Sequence, residues 1–392
     1  MSGNSVALRD VVRSLHEPGW NYGHDRSPFY RYLVAEGASY CVYNRRMMPV
    51  SVETSTRDEG YWALRRGVVR LDTGELPTEI AGPDAARLLD RIFTRRVSTL
   101  KPGRCTYGVA CWPDGGILVD GILARLDGDR YWYVQADGDF VGWLRAHAVG
   151  LDVQIRDPQS WVHQIQGPKS LELLARAVDD GEDAALRYFE ARTLRIGGQE
   201  VLVTRTGWTS ELGFEVYTHP GLDTDALWEH FTAIGKEFDM LEVGLDAFEA
   251  RRIEAGILNN LSDMDAGMTP YQAGLGSIVD LKRDDDFFGK QALRDADTRT
   301  LIHGVSSDAE PLIGSTVSRG GSRIGRITAA SWSPYLKKGV GLVRLDNADF
   351  AEGGPVQIIG FDLTTHSADL VELPFYDPTK AIPRGLEASD VG

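Results

Sequence analysis

Hydrophobic and polar positions alternate with period two over several short stretches of this chain and recur near period 3.6 over others, so strands and helices interleave along it. Leu88, Leu89, Ile92 and Phe93 keep helical spacing, as do Leu227, Phe231, Ile234 and Phe238, and each set predicts a helix with an apolar stripe. Residues 244–256 are helical by propensity and stop at Gly256. Arg252 falls on the stripe of Leu245 and Phe248, where it either caps the stripe from its edge or points into a site. Residues 105–111 and 117–124 predict two strands joined by Pro113-Asp114-Gly115-Gly116, a hairpin turn, with a third strand over 130–134. A short strand around Tyr40 and Val42 runs into a loop at Tyr43-Asn44, which is either a buried tyrosine edge or an arm reaching into a site. Residues 268–276 form a loop, 277–281 a further strand, and 289–293 open a short helix. From about residue 300 the texture changes to short strands, over 301–305, 322–329, 339–345 and 356–359, split by Gly, Ser and Pro, and this predicts a small barrel.

Two segments follow one plan. Residues 79–89 and 164–174 each read as a strand end, a Gly-Pro turn (Gly82-Pro83 and Gly167-Pro168) and a helix with proline at its first position. Each then carries a Leu-Leu pair, Leu88-Leu89 and Leu173-Leu174, at the same offset, so an internal duplication is expected.

The chain has 392 residues, enough for two or three domains. Its 42 basic and 57 acidic residues leave a formal charge of −15, which argues against nucleic acid or an anionic membrane as the main partner and for a small molecule. No run approaches the roughly 20 apolar residues that span a bilayer, and Met1-Ser2-Gly3-Asn4-Ser5 lacks the basic-then-apolar order of a signal peptide, so a cytoplasmic protein is expected. Cys41, Cys105 and Cys111 match no zinc or disulfide spacing, and no metal site is expected.

The densest chemistry lies in Thr206-Gly207-Trp208-Thr209-Ser210-Glu211-Leu212-Gly213-Phe214-Glu215-Val216-Tyr217. On a strand, Phe214 and Val216 share one face while Glu215 and Tyr217 share the other, so a carboxylate stands beside a phenol. Such a pair suits a flat, nitrogen-rich heterocycle, because one carboxylate accepts two parallel N–H bonds. The same pattern also suits a strand with a polar outer face. Asp120 interrupts the apolar strand over 117–124 and precedes Gly121; it is either a residue of the sheet's polar face or a partly buried acid that handles a proton.

Taken in order, Thr206-Gly207-Trp208, Gly213-Phe214-Glu215, Arg252-Ile253-Glu254-Ala255-Gly256, residues 270–276, Phe288-Gly289-Lys290-Gln291-Ala292-Leu293 and Ser333-Pro334-Tyr335-Leu336-Lys337-Lys338 resemble the glycine-cleavage T-protein (aminomethyltransferase) superfamily over most of the chain. Tyr40-Cys41-Val42-Tyr43-Asn44, Met48-Pro49 and Trp208 resemble its demethylase branch, which includes dimethylsulfoniopropionate demethylase and the tetrahydrofolate-dependent O-demethylases of methoxy-aromatics. The resemblance implies an α+β fold, a three-domain cloverleaf around a central folate channel. Residues 1–295 form the folate-binding catalytic region, of two α/β subdomains with the first discontinuous, and residues 296–392 the C-terminal β-barrel. It implies tetrahydrofolate as cofactor, Glu215 as the pterin-binding acid, Asp120 as the acid near N5, and Tyr107, Trp208, Arg252 and Tyr271 along the folate or substrate end. Asp120, with Tyr43 or Tyr217 (or Tyr40) as proton donor to the leaving group, is the expected catalytic set.

The implied activity is transfer of a methyl group from a small O- or S-methyl donor, a methoxy-aromatic acid foremost, to N5 of tetrahydrofolate. Asp72-Thr73-Gly74-Glu75-Leu76-Pro77 is one residue shorter than the branch's Asp-Val-Gly-Val-Glu-Arg, and Val119 and Gly121 flank Asp120 where the branch has Asn and Pro. Both departures fall near the expected substrate end. An aminomethyl or methylene transferase on an amine is the alternative chemistry. A folate-binding accessory protein, usually marked by a Lys-Gly-Cys-Tyr-like motif that is absent from this sequence, and a folate-independent lyase are the alternatives from other classes.

Overall fold

The computed structural model describes residues 24–138, 140–181, 183–361 and 363–387, so the N-terminal segment weighed above as a targeting signal lies outside the described residues. Among the described residues a short helix, Tyr30–Ala35, leads into a hairpin of β1 (Ser39–Tyr43) and β2 (Arg46–Ser51). Asn44 and Arg45, at φ 51° and 61°, make the two-residue turn whose left-handed twist matches a β-hairpin. β3 (Val69–Thr73) then passes through Gly74-Glu75 into β4 (Leu76–Ala81).

The expected duplication appears as topology. After β4 come the helix Ala85–Ile92, the meander β5 (Arg104–Cys111), β6 (Ile117–Asp127) and β7 (Arg130–Gln135), the helix Phe140–His147 and β8 (Gln154–Arg156). After β9 (Val162–Gln166) come the helix Ser170–Ala177, the meander β10 (Ala191–Ile196), β11 (Gln199–Thr204) and β12 (Gly213–Tyr217), the helix Thr224–Gly235 and β13 (Leu241–Glu242). The first sheet runs β5-β6-β7-β4-β8 and the second β10-β11-β12-β9-β3-β13. In both, the third meander strand returns to pair with the strand before the helix.

The two Gly-Pro turns agree in detail. Gly82 and Gly167 sit at φ +135° and +122°, and a Cβ on either would lie 2.5 Å from a backbone oxygen, of Asp152 and Gly67 respectively. The helices begin two residues beyond the prolines, however. Ala85 and Ser170 donate their N–H to the glycine carbonyls at 2.9 Å, so each proline stands inside a tight turn rather than at the first helical position.

The barrel closes in the order β14-β17-β16-β15-β18-β19, from β14 (Ile302–Ser307), β15 (Thr316–Arg319), β16 (Ser322–Ser333), β17 (Lys338–Leu345), β18 (Gly354–Ile359) and β19 (Thr365–Val371). Val305, Val317, Ile327, Val343, Ile358 and Leu370 fill its interior. β15 and β19 escape the sequence pattern because Thr316-Val317-Ser318-Arg319 and Thr365-His366-Ser367 offer too few apolar positions. The strand expected over 277–281 is instead a 3-10 turn, Gly276–Ile278, followed by unpaired extended chain. Its backbone is satisfied by Thr94, whose hydroxyl donates to the Ile278 carbonyl at 3.3 Å and whose carbonyl accepts from Asp280 at 2.9 Å. Its apolar run packs under the first sheet instead of pairing in one.

A buried ionic cluster locks these parts together. Glu254, at the end of the helix Asp246–Glu254, accepts from Tyr61 (2.8 Å), from Ser333 of β16 (2.6 Å) and from Tyr376, and pairs with Arg65 (3.4 Å). Arg65 also holds Glu211 (3.1 Å), which Arg251 grips from the other side (2.7 Å). The loop before β12 is thereby anchored to the barrel, through charges that are tolerated in the interior because each is paired. Among the described residues, no helix is long and apolar enough to cross a membrane.

Candidate active site

A cavity of about 510 Å³ lies where the hairpin, the two sheets and the segment after Glu254 converge, within the size range of small-molecule sites. Tyr43, Glu75, Tyr107, Asp120, Trp208 and Glu215 are on its wall.

Glu215 stands on β12 between Thr204 of β11 and Gln164 of β9. Its Oε2 accepts from the Tyr217 hydroxyl at 2.7 Å, from Thr206 at 2.7 Å and from Thr204 at 3.4 Å. Burial pushes its carboxyl above the usual range, and the three hydroxyls pull partly back. Oε1 takes none of those bonds. Tyr217 therefore shares the face of Glu215, as strand alternation requires, but its hydroxyl is committed to that carboxylate and its ring lies edge-on to Trp132 at 5.8 Å, behind the cavity wall.

The two glycines of the motif have one cause. The Gln166 side chain runs beneath the loop, donating to the carbonyls of Thr206 (3.1 Å) and Phe214 (3.3 Å) and accepting from Thr209 (2.9 Å). A Cβ on Gly207 or Gly213 would lie 2.3 or 2.2 Å from that amide. The loop is thus wrapped on a buried glutamine, and this sets Trp208 at the cavity.

Asp120 on β6 is 6% exposed. Its Oδ2 accepts from Tyr107 at 2.6 Å, while Oδ1 is buried and has no hydrogen-bond partner. Burial pushes its carboxyl up to about 6, with the Tyr107 bond opposing. Gly121 is explained by the neighbouring strand, since a Cβ there would meet the Val134 carbonyl at 2.3 Å.

Arg252 and Tyr271 stand one layer out. Arg252 pairs with Glu249 (2.6 Å) and Asp263 (2.8 Å), and lies 5.0 Å from the centre of the Trp208 ring. Asp263 also accepts from the Asn259 amide at 2.8 Å, so this arginine shapes a wall that includes Asn259 without itself lining the cavity. Tyr271 is half-buried in the apolar cluster beside Leu275, against Gly276.

Sequence reasoning passed over two wall residues. Glu75, at the joint between β3 and β4, lines the cavity with a buried Oε2 that accepts no hydrogen bond. Burial, then the nearby Glu215, push its carboxyl up to about 7. Lys380 reaches the cavity from the C-terminal segment and donates to the Ala255 carbonyl at 2.6 Å; burial, then Arg251, lower its ammonium to about 8. The signal for Glu75 was an acid after glycine between two strands; Lys380 carries no local signal.

The GCVT N-terminal domain family matches residues 29–283, and the glycine cleavage T-protein C-terminal barrel domain matches residues 300–377. The chain belongs to the glycine-cleavage T-protein family. It is 34% identical over 369 residues to a trimethylamine-oxide aldolase of Ruegeria pomeroyi, covering 88% of this chain and 46% of that longer protein. It is 32% identical over 316 residues to an aminomethyltransferase of Streptomyces coelicolor (77% of this chain, 84% of the relative), and 30% over 338 residues to one of Bacillus subtilis (83% and 92%). The fold matches the glycine cleavage system aminomethyltransferase T of Bartonella henselae with a TM-score of 0.81 at 23% identity, over 90% of this chain and 98% of that one.

Aminomethyltransferases of this family use tetrahydrofolate. The residues present fit it: a buried carboxylate on β12 for ring N–H donors, an aromatic wall at Trp208, and on the same cavity a second acid, one of whose buried oxygens has no hydrogen-bond partner.

Proposed function

We propose that this protein is a tetrahydrofolate-dependent one-carbon transferase whose donor is a small amine, from which the carbon passes to N5. The observation that carries this reading is Asp120 Oδ1, a buried acceptor without a partner in the same cavity as Glu215. When bound, tetrahydrofolate supplies the nitrogen nucleophile that receives the carbon. Glu215 offers the pterin edge a carboxylate fixed on three hydroxyls, so little ordering remains to be done on binding. Tyr107 holds Asp120 by one oxygen and leaves the other for the reacting nitrogen. With its carboxyl near 6, Asp120 gives and takes a proton at neutral pH. Confining donor and acceptor in one cavity contributes up to about 7–11 kcal/mol through proximity.

An aminomethyl donor, whose carbon is at the oxidation level of formaldehyde, yields 5,10-methylenetetrahydrofolate and the free amine. Similarity to aminomethyltransferases and to a trimethylamine-oxide aldolase, names that put the carbon on nitrogen, supports that donor. Methyl transfer from an O- or S-methyl donor, giving 5-methyltetrahydrofolate, is favoured by one feature: Tyr43 lines the cavity as a phenol able to protonate a leaving oxygen. A methoxy-aromatic acid is the less suited donor, because its carboxylate would meet a wall carrying Glu75 and Asp120. Incubation with tetrahydrofolate and a panel of aminomethyl compounds at the formaldehyde oxidation level, methoxy-aromatic and sulfonium donors, with the folate product identified by mass, separates the readings. The methylene product from an aminomethyl donor is expected; the methyl product from an ether or sulfonium alone overturns the amine reading.

A further inference from the structure

One carboxyl oxygen of Glu75, Oε2, takes part in no bond that holds the fold. That oxygen is buried and accepts no hydrogen bond, and Glu75 lines the cavity. A buried carboxyl in such a position is costly unless something pairs with it. Thr73 hydrogen-bonds the carboxyl and Arg46 attracts it, but no side chain among the described residues forms an ion pair with it. Arg46, the guanidinium nearest in the hairpin, donates to the Glu75 backbone carbonyl at 2.8 Å and stacks on Trp161 at 4.2 Å, and it is not on the cavity wall. The two cations that do line the cavity are directed to main-chain carbonyls, Lys380 to Ala255 (2.6 Å) and Arg205 to Leu186 (2.9 Å) and Arg384 (3.0 Å). Asp120 and Glu215 add further negative charge on the same wall. Tetrahydrofolate brings a neutral ring and an anionic tail, so the missing positive charge is left to the second substrate.

We propose that Glu75 is the donor-specificity residue of this site, its Oε2 accepting an N–H from the protonated nitrogen of the one-carbon donor. The proposal rests on the amine reading above and extends it to a named residue and charge state. Glu75 lies at the crossover from β3 to β4, beside Tyr43: a Cβ on Gly74 would come within 3.0 Å of the Tyr43 Cβ. The nitrogen of the donor accordingly lies beside Glu75 and Tyr43, on the wall that also bears Asp120. The groups that influence Glu75 are Glu215 from β12, Arg46 from β2 and Thr73 from β3; Glu75 and Asp120 in turn act on Tyr43. With its carboxyl near 7, Glu75 is partly protonated at neutral pH, and an arriving ammonium expels that proton.

The test is calorimetric titration of trimethylamine, sarcosine and N,N-dimethylglycine, and of methoxybenzoate, into the wild type, Glu75→Gln and Glu75→Ala. Each is run with tetrahydrofolate bound, at pH 7, in buffers of differing ionisation enthalpy. The expected result is amine binding with proton release in the wild type, weaker by about tenfold and without proton release in Glu75→Gln, the worth of one charge-assisted bond. Tetrahydrofolate affinity is expected to stay unchanged in both variants, which shows that the site remains folded. Equal amine affinity and equal proton release in wild type and Glu75→Gln overturns the proposal, as does a wild type that prefers methoxybenzoate. Amine binding that depends on Glu75, with no 5,10-methylenetetrahydrofolate formed from an aminomethyl donor at the formaldehyde oxidation level, contradicts the proposed function and leaves Glu75 standing; turnover of that donor undiminished in Glu75→Gln does the reverse.

Discussion

Strand β12 of the second sheet surrounds Glu215 with three hydroxyl donors, whereas β6 of the first sheet gives Asp120 one, from Tyr107, and leaves its other oxygen without a partner. The sheets repeat one order over their first four strands, β5-β6-β7-β4 and β10-β11-β12-β9, so the difference does not come from the topology around the two acids. It comes from which residues stand opposite. Glu215 is registered against Thr204, with Thr206 and Tyr217 close by, while Asp120 is registered against Val109. A carboxylate with its donors already in place is suited to holding a ligand in one geometry. One with a bare oxygen, held near 6 by burial, is suited to moving a proton. On the proposed function, the duplicated fold separates binding from chemistry onto its two halves.

The sharpest way to break that contrast is Asp120→Asn. Folate product formation is expected to fall by about 10²–10⁴-fold, the usual worth of general acid–base catalysis, as measured by product mass against time. Near-wild-type turnover contradicts the assignment. The same variant tests the electrostatic side. Asp120 moves from its ordinary 3.8 to about 6 in the fold, so the native state favours the protonated form. That contribution is complete below pH 3.8 and is lost as pH rises through about 6. Asn, which carries no charge to bury, is expected to raise thermal stability at pH 8 by at most about 3 kcal/mol and to give no gain near pH 3, followed by thermal melts across pH. A melting point that is lowered at pH 8 counts against the buried charge.

Glu215→Gln addresses the other half. Loss of charge-assisted acceptance is expected to weaken tetrahydrofolate binding by about 1.5–3 kcal/mol, read by calorimetry. The smallest effect is expected from Tyr107→Phe. The Tyr107 hydroxyl bond holds the Asp120 carboxyl down, so its removal moves the acid limb of the pH–rate profile to higher pH. A limb that stays in place shows that a group other than Asp120 sets it.

Much of this division was legible in the chain because it depends on local pattern. Alternation over Phe214-Glu215-Val216-Tyr217 sets Glu215 and Tyr217 on one face, and an acid inside the apolar strand over 117–124 marks Asp120. The repeated Gly-Pro turns announced two halves, whose first four strands follow one order. What stayed hidden depends on distant partners. Tyr217 reads from sequence as a free phenol, but its hydroxyl belongs to Glu215. Arg252 left two alternatives open that only Glu249 and Asp263 resolve, in favour of an edge position behind Trp208. The apolar run over 277–281 has strand composition, yet Thr94, in the bend after the helix Ala85–Ile92, takes its backbone bonds. Glu75 and Lys380 reach the cavity only because a crossover and the returning C-terminal segment meet there, more than 300 residues apart in the chain.

The contrast between the two acids is tested most directly by titrating tetrahydrofolate into the wild type, Asp120→Asn and Glu215→Gln under one set of conditions. The expected result is affinity retained in Asp120→Asn, despite its lost turnover, and lowered by roughly tenfold or more in Glu215→Gln. Equal loss in both variants, or full affinity in Glu215→Gln, contradicts the separation of binding from chemistry.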